Sequence, residues 1–134
     1  MIASRSEVLA IGSADDVVRV RQVVRTKAIE IGLSLVDQTK IVTAASEIAR
    51  NTLAYGGGGT ATVEVLENGE RKGLRVVFED QGPGIADLER ALSDGYTTGK
   101  GLGLGLGGAK RLSSEFDIRS TLGKGTRVMI SRWK

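Results

Sequence analysis

The sequence predicts an α/β sandwich, one mixed sheet covered by helices on one face. Three observations predict it. Helical and strand-like periodicities intermix along 134 residues, the last strands follow one another in hairpin-like succession, and a single proline interrupts a chain that is 40% apolar and 26% charged. That length fits one domain over 1–134, large enough to close a core without disulfides or a structural metal. No Cys and no His occur. Their absence excludes a thiolate nucleophile, a Ser-His-Asp triad, the usual zinc ligand sets and a phosphohistidine within the chain.

Taken in order, residues 7–11 read as a short strand. Ser13 with Asp16 three positions on resembles a capping box, and Val17, Val20, Val24, Ala28 and Ile31 recur at helical spacing until Gly32, so a helix is expected over 14–31. A second helix is expected over 35–55, with Asp37 near its start and a stripe of Ile41, Ala44, Ala45, Ile48, Ala49 and Thr52, ended by the glycine run 56–59. Residues 60–66 and 74–79 are rich in β-branched side chains, and Asn68-Gly69 between them is a hairpin signal. Beyond the loop Asp80-Gln81-Gly82-Pro83-Gly84-Ile85, a short helix is expected over 87–92, a loop over 97–103 and a helix over 104–114. Strands over 116–121 and 126–132, joined at Gly123-Lys124-Gly125, complete the reading.

Charge is uneven. Residues 1–99 hold 11 Lys/Arg against 14 Asp/Glu, while residues 100–134 hold 8 against 2. Such a field suits an anionic partner or is a solvated basic face. With 4% aromatic residues the chain offers few stacking platforms for unpaired bases, and a nucleic-acid partner is not expected. No apolar run approaches the ~20 residues of a membrane span, and Met1 to Arg5 lack the features of a secretion signal, so a cytoplasmic protein without a membrane partner is expected.

Three motifs can carry chemistry. Glu47 and Asn51 lie four apart on the second helix, so their side chains converge on one site or share a solvent face. Asp80 ends an apolar strand just before Gly82-Pro83-Gly84; it suits either an exocyclic amine donor or an Asx-type turn, and the two glycines would let a planar ligand approach the backbone. Gly99 to Gly108 contains G-x-G-x-x-G at Gly103, Gly105 and Gly108. No strand precedes it and no strand-end acid follows, which argues against a dinucleotide fold. Without any His there is no H-R-D loop of the protein-kinase type, and no phosphate loop ending in G-K-[ST] is present. What remains is a flexible loop, or a glycine-rich run into a helix start that offers backbone N–H groups to a phosphate chain.

The order of these pieces is more specific than any one of them. Ser46-Glu47-Ile48-Ala49-Arg50-Asn51 resembles the N box of the histidine-kinase-like (GHKL) ATPases, Asp80 to Ile85 their first glycine box, Gly99 to Gly105 their second, and Gly123-Lys124-Gly125-Thr126 their closing G-T element. Within that superfamily, the wording Val36-Asp37-Gln38, S-E-I-A-R-N and E-D-Q-G-P-G-I is similar to that of the switch-protein serine/threonine kinases of bacterial anti-sigma and stressosome modules. The resemblance implies the two-layer sandwich of the Bergerat type, with ATP and Mg²⁺ as cofactors. It implies Asn51 as the Mg²⁺ ligand, Glu47 as the base toward a substrate hydroxyl, and Asp80 as reader of the adenine amine. Gly82, Gly84, Ile85 and Thr126 would lie at the nucleotide, with Lys100, Gly101, Leu102, Gly103, Leu104 and Gly105 around the phosphates. Many sensor kinases of the superfamily carry Lys three residues after that Asn; here the place is Ala54, leaving Lys100 and Arg50 as alternatives for meeting phosphate charge. The implied activity is serine/threonine phosphorylation of a STAS-type antagonist or stressosome scaffold, with a PP2C-type phosphatase or sigma factor as further partner. A non-enzymatic ATP-binding anti-sigma regulator and a detached histidine-kinase ATPase domain are the alternatives.

Overall fold

A computed structural model of the protein describes residues 2–85, 92 and 105–134, with side chains from residue 5 onward. Two serines start the long helices. Ser13 and Ser34 sit in extended backbone, and each Oγ accepts the N–H three residues ahead, from Asp16 at 3.3 Å and Asp37 at 3.1 Å. Each bond satisfies a donor that a helix start leaves unpaired. Asp16 also reaches back as a capping box requires, although its Oδ2 accepts from Gly12 (2.8 Å) rather than from Ser13. The first helix, α1, is Ala14–Glu30 and the second, α2, is Leu35–Ala54. Gly32, at φ +84, closes α1 with N–H bonds from Gly32 to Ile29 O and from Leu33 to Ala28 O, the Schellman pattern.

Five strands, β1 (Ile2–Ile11), β2 (Gly59–Asn68), β3 (Arg71–Asp80), β4 (Glu115–Thr121) and β5 (Gly125–Trp133), form one sheet in the order β1-β2-β3-β5-β4. Every pairing is antiparallel, which corrects the expected mixed sheet. The crossover after β3 does return β4 parallel to β3, but β5 folds back between them and pairs antiparallel with both. The β2–β3 turn is also displaced by one residue from the predicted Asn68-Gly69. Asn68 pairs with Arg71, so Gly69 and Glu70 are the turn residues, and Gly69 takes the positive φ (+64) that a II′-type turn needs at its first central place.

A third helix, α3 (Gly105–Arg111), ends three residues short of the predicted 114 because Ser114 gives its N–H to Ser131 O on β5. The helix predicted over 87–92 lies, apart from Leu92, outside the described residues.

The core forms between the helices and one face of the sheet. On that face Leu9, Ala61, Phe78, Val128 and Ile118 stand in one cross-strand row, four of them buried and Ile118 packed against the rest. Helix α2 is enclosed by α1, the sheet and α3, and its Ala44, Ala45 and Ala49 let those neighbours approach closely. On the opposite face Glu64 grips Arg75 through two bonds of 2.9 and 3.2 Å, raising the arginine pKa. Beside them Trp133 Nε1 and Ser131 Oγ both donate to Glu115 Oε1, at 3.0 and 2.7 Å, and hold that carboxyl below its usual pKa.

Candidate active site

One row further along the helix-facing side, the sheet turns polar. Ile11, Gly59, Asp80, Thr126 and Ser120 are register partners in succession across all five strands. Alternation of side chains puts them on the same face as the apolar row before them. The core therefore ends in a line of Asp, Thr and Ser beneath the C-terminal end of α2, whose Thr52 methyl lies over Gly59.

Three loops meet there. Residues 56–59 leave α2, 80–85 leave β3, and 121–125 join β4 to β5. Asp80 Oδ1 accepts the N–H of Gly82 at 2.9 Å, the Asx-type turn that the sequence suggested. Gly82 and Gly84 also have a packing role that the sequence reading did not give them. A Cβ on Gly82 would enter the backbone of Gly56, and one on Gly84 the backbone of Thr121, so both save space for neighbouring loops. A Cβ on Gly56 would collide with the Asp80 carboxyl itself. Two bonds then tie the 80–85 loop to the far hairpin: Gly123 N–H to Pro83 O (2.8 Å) and Ile85 N–H to Ser120 Oγ (2.7 Å).

Ser120 is the residue that sequence reasoning missed. Its Oγ contacts Ile85 N, Thr126 Oγ1 (2.9 Å) and Gly125 O (3.3 Å). The available signal was the period-two run Phe116, Ile118, Ser120, in which a hydroxyl stands where the inward face calls for a third apolar residue.

Glu47 and Asn51 come from α2. Glu47 is only 4% exposed, with Ser46 and Ile48 buried beside it, so the alternative of a solvent face fails for this residue. Its Oε1 has no hydrogen-bond partner among the described residues; Arg50 Nη1 approaches to 3.6 Å, an ion-pair contact too long for a hydrogen bond. A buried acceptor left unmet costs about 1–3 kcal/mol, which a bound donor would recover. Asn51 is half-buried one turn on, and its side chain has no hydrogen bond to a described residue. Its carbonyl accepts from Tyr55 and Gly56, and Gly58 bonds Thr52 O, so the end of α2 is fastened to the loop that packs on Asp80.

A cleft of about 410 Å³ opens between Gly56, Gly57, Gly58, Gly59, Thr60, Glu79, Asp80 and Gln81. It takes in Asp80 but not Glu47, Asn51 or Thr126. Of the second glycine box, Gly105 opens α3 at φ +56, while Lys100, Gly101, Leu102, Gly103 and Leu104 lie outside the described residues. The basic charge of the last third is distributed: Arg132 is held by Asp37 at 2.9 Å and Arg119 by Asp117 at 3.3 Å, on different faces of the fold.

This donor set suits a magnesium nucleotide. No three acidic side chains among the described residues converge to cage a metal. A single amide, that of Asn51, would fit a cation whose remaining ligands are phosphate oxygens and water, the usual arrangement for Mg²⁺.

A cross-strand polar row beneath an Asn- and Glu-bearing helix, in a five-stranded sheet covered on one face, agrees with the resemblance of the sequence motifs to the histidine-kinase-like ATPases. Residues 36–134 match the family of histidine kinase-, DNA gyrase B- and HSP90-like ATPases, and the chain belongs to it. Over 118 residues it is 45% identical to serine/threonine-protein kinase RsbT of Bacillus subtilis (strain 168), spanning 88% of this chain and 89% of that one. It is 29% identical to anti-sigma F factor of Thermoanaerobacter sp. (strain X514), over 84% and 82% of the two chains. Two solved structures share the fold. The RsbU and RsbW domains of Rv1364c from Mycobacterium tuberculosis superpose with a TM-score of 0.67 at 21% identity over 98% of this chain, which spans 33% of that one. Mycobacterial sensor histidine kinase MprB gives 0.57 at 19% identity, over 96% and 97%. No helix among the described residues is long and apolar enough to cross a membrane.

Proposed function

We propose that this chain is an ATP-dependent serine/threonine protein kinase of the partner-switching kind, acting in the cytoplasm on a STAS-type antagonist or stressosome scaffold and thereby on a phosphatase or sigma-factor pathway. The observation that carries the reading is the buried, unsatisfied Glu47 Oε1 one turn from Asn51, in a chain 45% identical to a named serine/threonine kinase.

Each residue has a part in that reading. Glu47 Oε1 accepts a hydrogen bond from the incoming serine or threonine hydroxyl, orients it and draws off its proton as the new bond forms; Arg50 steadies the carboxylate from its exposed side. Asn51 offers its amide oxygen to Mg²⁺. Asp80 and Thr126 receive the adenine edge. In this reading the glycine box 100–105 serves the phosphates, with Lys100 or Arg50 meeting their charge. Mg²⁺-ATP, when bound, supplies the γ-phosphoryl group with part of its charge neutralised. Positioning and electrostatics provide most of the acceleration in such transfers, so Glu47 need not be a strong base.

Incubation of the purified chain with γ-labelled ATP and a candidate STAS protein tests the proposal. Phosphoserine or phosphothreonine on the STAS protein is the expected product. Acid-labile phosphohistidine on the partner, or tight ATP binding with no transfer, overturns it.

A further inference from the structure

We propose that Arg132 is a positioning residue for phosphate binding: by joining the start of α2 to the end of α3, it sets where the glycine box at the other end of α3 stands relative to Glu47 and Asn51. The inference rests on the reading above in which that box serves the phosphates.

Arg132 stands where the inner face of the sheet calls for another apolar residue. Val128 and Ile130 of β5 are buried in the core, and alternation puts Arg132 on the same face, beside the buried Leu74 of β3. Strand β4 begins opposite Ser131, so no β4 residue pairs with Arg132. From that place its guanidinium reaches two helices at once. Nε and Nη2 donate to Asp37 Oδ1, in the first turn of α2, at 3.2 and 2.9 Å, and Nη1 donates to the carbonyl of Leu112, the residue that follows α3, at 3.3 Å. Each contact suits the helix end it meets, since N–H groups go unpaired at a helix start and carbonyls at a helix end. The arginine and aspartate side chains are only 20% and 28% exposed, so the pair is partly withdrawn from the solvent screening that weakens surface ion pairs.

Two other bonds fasten the exit of α3 to β5, Ser114 N–H to Ser131 O (2.8 Å) and Trp133 N–H to Ser114 Oγ (3.2 Å), and neither involves α2. The Arg132 fork is the one that ties all three elements together. Its consequence lies at the opposite end of α3. That helix has seven residues, about 10 Å of rise, packs on α2 and buries Leu106, Gly107, Gly108 and Ala109. A displacement at Leu112 is therefore carried along the helix to Gly105, its first residue and the last of the glycine box. Helix α2 carries Asp37 near its start and Glu47 and Asn51 towards its end. Arg132 thus fixes the relative placement of two helices whose far ends hold the groups read as meeting the phosphates and Mg²⁺. Asp80 and Thr126 belong to the sheet, and the base end of the site is left out of this coupling.

Calorimetric titration of ATP and AMP, each with Mg²⁺, into the full chain tests this, with thermal unfolding recorded for each variant. Wild type should bind ATP more tightly, because AMP lacks the outer phosphates. Arg132→Gln should narrow the ATP/AMP affinity ratio about tenfold, the scale of one polar contact, through weaker ATP binding with AMP unchanged. Arg132→Lys keeps the charge without the planar fork and should fall between. Asp37→Asn leaves the bond to Leu112 in place and should also cost less than Arg132→Gln. These two milder variants decide the question if Arg132→Gln folds poorly. A lower melting temperature with the wild-type ATP/AMP ratio in all of them would make Arg132 a structural tie and overturn the proposal while the glycine-box reading stands. If wild type itself binds ATP no more tightly than AMP, the glycine-box reading fails and takes the proposal with it.

Discussion

Arg50 Nη1 stands 3.6 Å from Glu47 Oε1, close enough to attract its charge and too far to donate a hydrogen bond. The arginine side chain is 41% exposed while the glutamate is 5% exposed, so the pair reaches from solvent into the core and ends in an oxygen with unused accepting capacity. On the proposed reading that oxygen meets the substrate hydroxyl, which sets the first expected outcome.

Glu47→Gln should bind ATP as wild type does and lower phosphorylation of the protein substrate by roughly 10²- to 10⁴-fold, the scale of a lost general base. Gln keeps the size and the Oε1 acceptor but cannot take the proton. Single-turnover transfer measured alongside nucleotide affinity checks it; wild-type transfer would leave Glu47 a structural residue.

Asn51→Ala should abolish Mg²⁺-dependent nucleotide binding with the fold intact. The side chain has no hydrogen bond to a described residue and stands near the end of a helix, where Ala is the better helix former by a few tenths of a kcal/mol. An unchanged or slightly raised melting temperature, with loss of the Mg²⁺ dependence of ATP binding, is the expected pair of results.

If Asp80 reads adenine as proposed, Asp80→Asn should weaken ATP and narrow the ATP/GTP ratio, because an amide can present either a donor or an acceptor. An unpaired buried acceptor is worth about 1–3 kcal/mol, ~5- to 150-fold in affinity. Gly56→Ala should have a related effect without touching the carboxyl chemically, since its methyl would collide with the Asp80 carboxyl and displace it. Parallel titrations of both nucleotides check both variants. A drop in melting temperature at constant ratio would assign Asp80 to the turn alone.

Glu115 should contribute a pH-dependent part of the stability. Hydrogen bonds from Trp133 and Ser131, aided by Arg75, lower its pKa from the ordinary 4.5. As pH falls below 4.5 the unfolded chain takes up the proton first, so the stabilisation is complete above that value and is lost as pH descends through the lower native pKa. Urea midpoints measured from pH 6 down to pH 3 should fall less steeply for Glu115→Gln than for wild type, and the two curves should converge at the acid end.

Much of the fold was legible locally. Ser13 and Gly32 mark helix ends through bonds within a few residues, and the caps appear at those positions; Ser34 caps α2 in the same way, a cap the sequence reading did not single out. The N-box spacing put Glu47 and Asn51 on one helix face because four residues make about one turn. The glycine boxes were legible as loops, but the purpose of Gly82 and Gly84 was not, since each is shaped by a loop distant in sequence, Gly56 and Thr121 respectively. The strand order was also beyond local reading, because β5 enters between β3 and β4 only after a long crossover has placed β4.

By itself, then, the sequence determined most of the elements and several of their ends, matters of periodicity and short-range hydrogen bonding, and the order of its motifs carried the family resemblance. Tertiary structure alone decided that Glu47 is buried with an oxygen unmet, and that Asp80, Thr126 and Ser120 stand in one row. Burial depends on what packs against a helix from elsewhere, and a row across a sheet depends on strand register. Residues 80, 120 and 126 are brought side by side by hydrogen bonds between strands, which no spacing along the chain encodes.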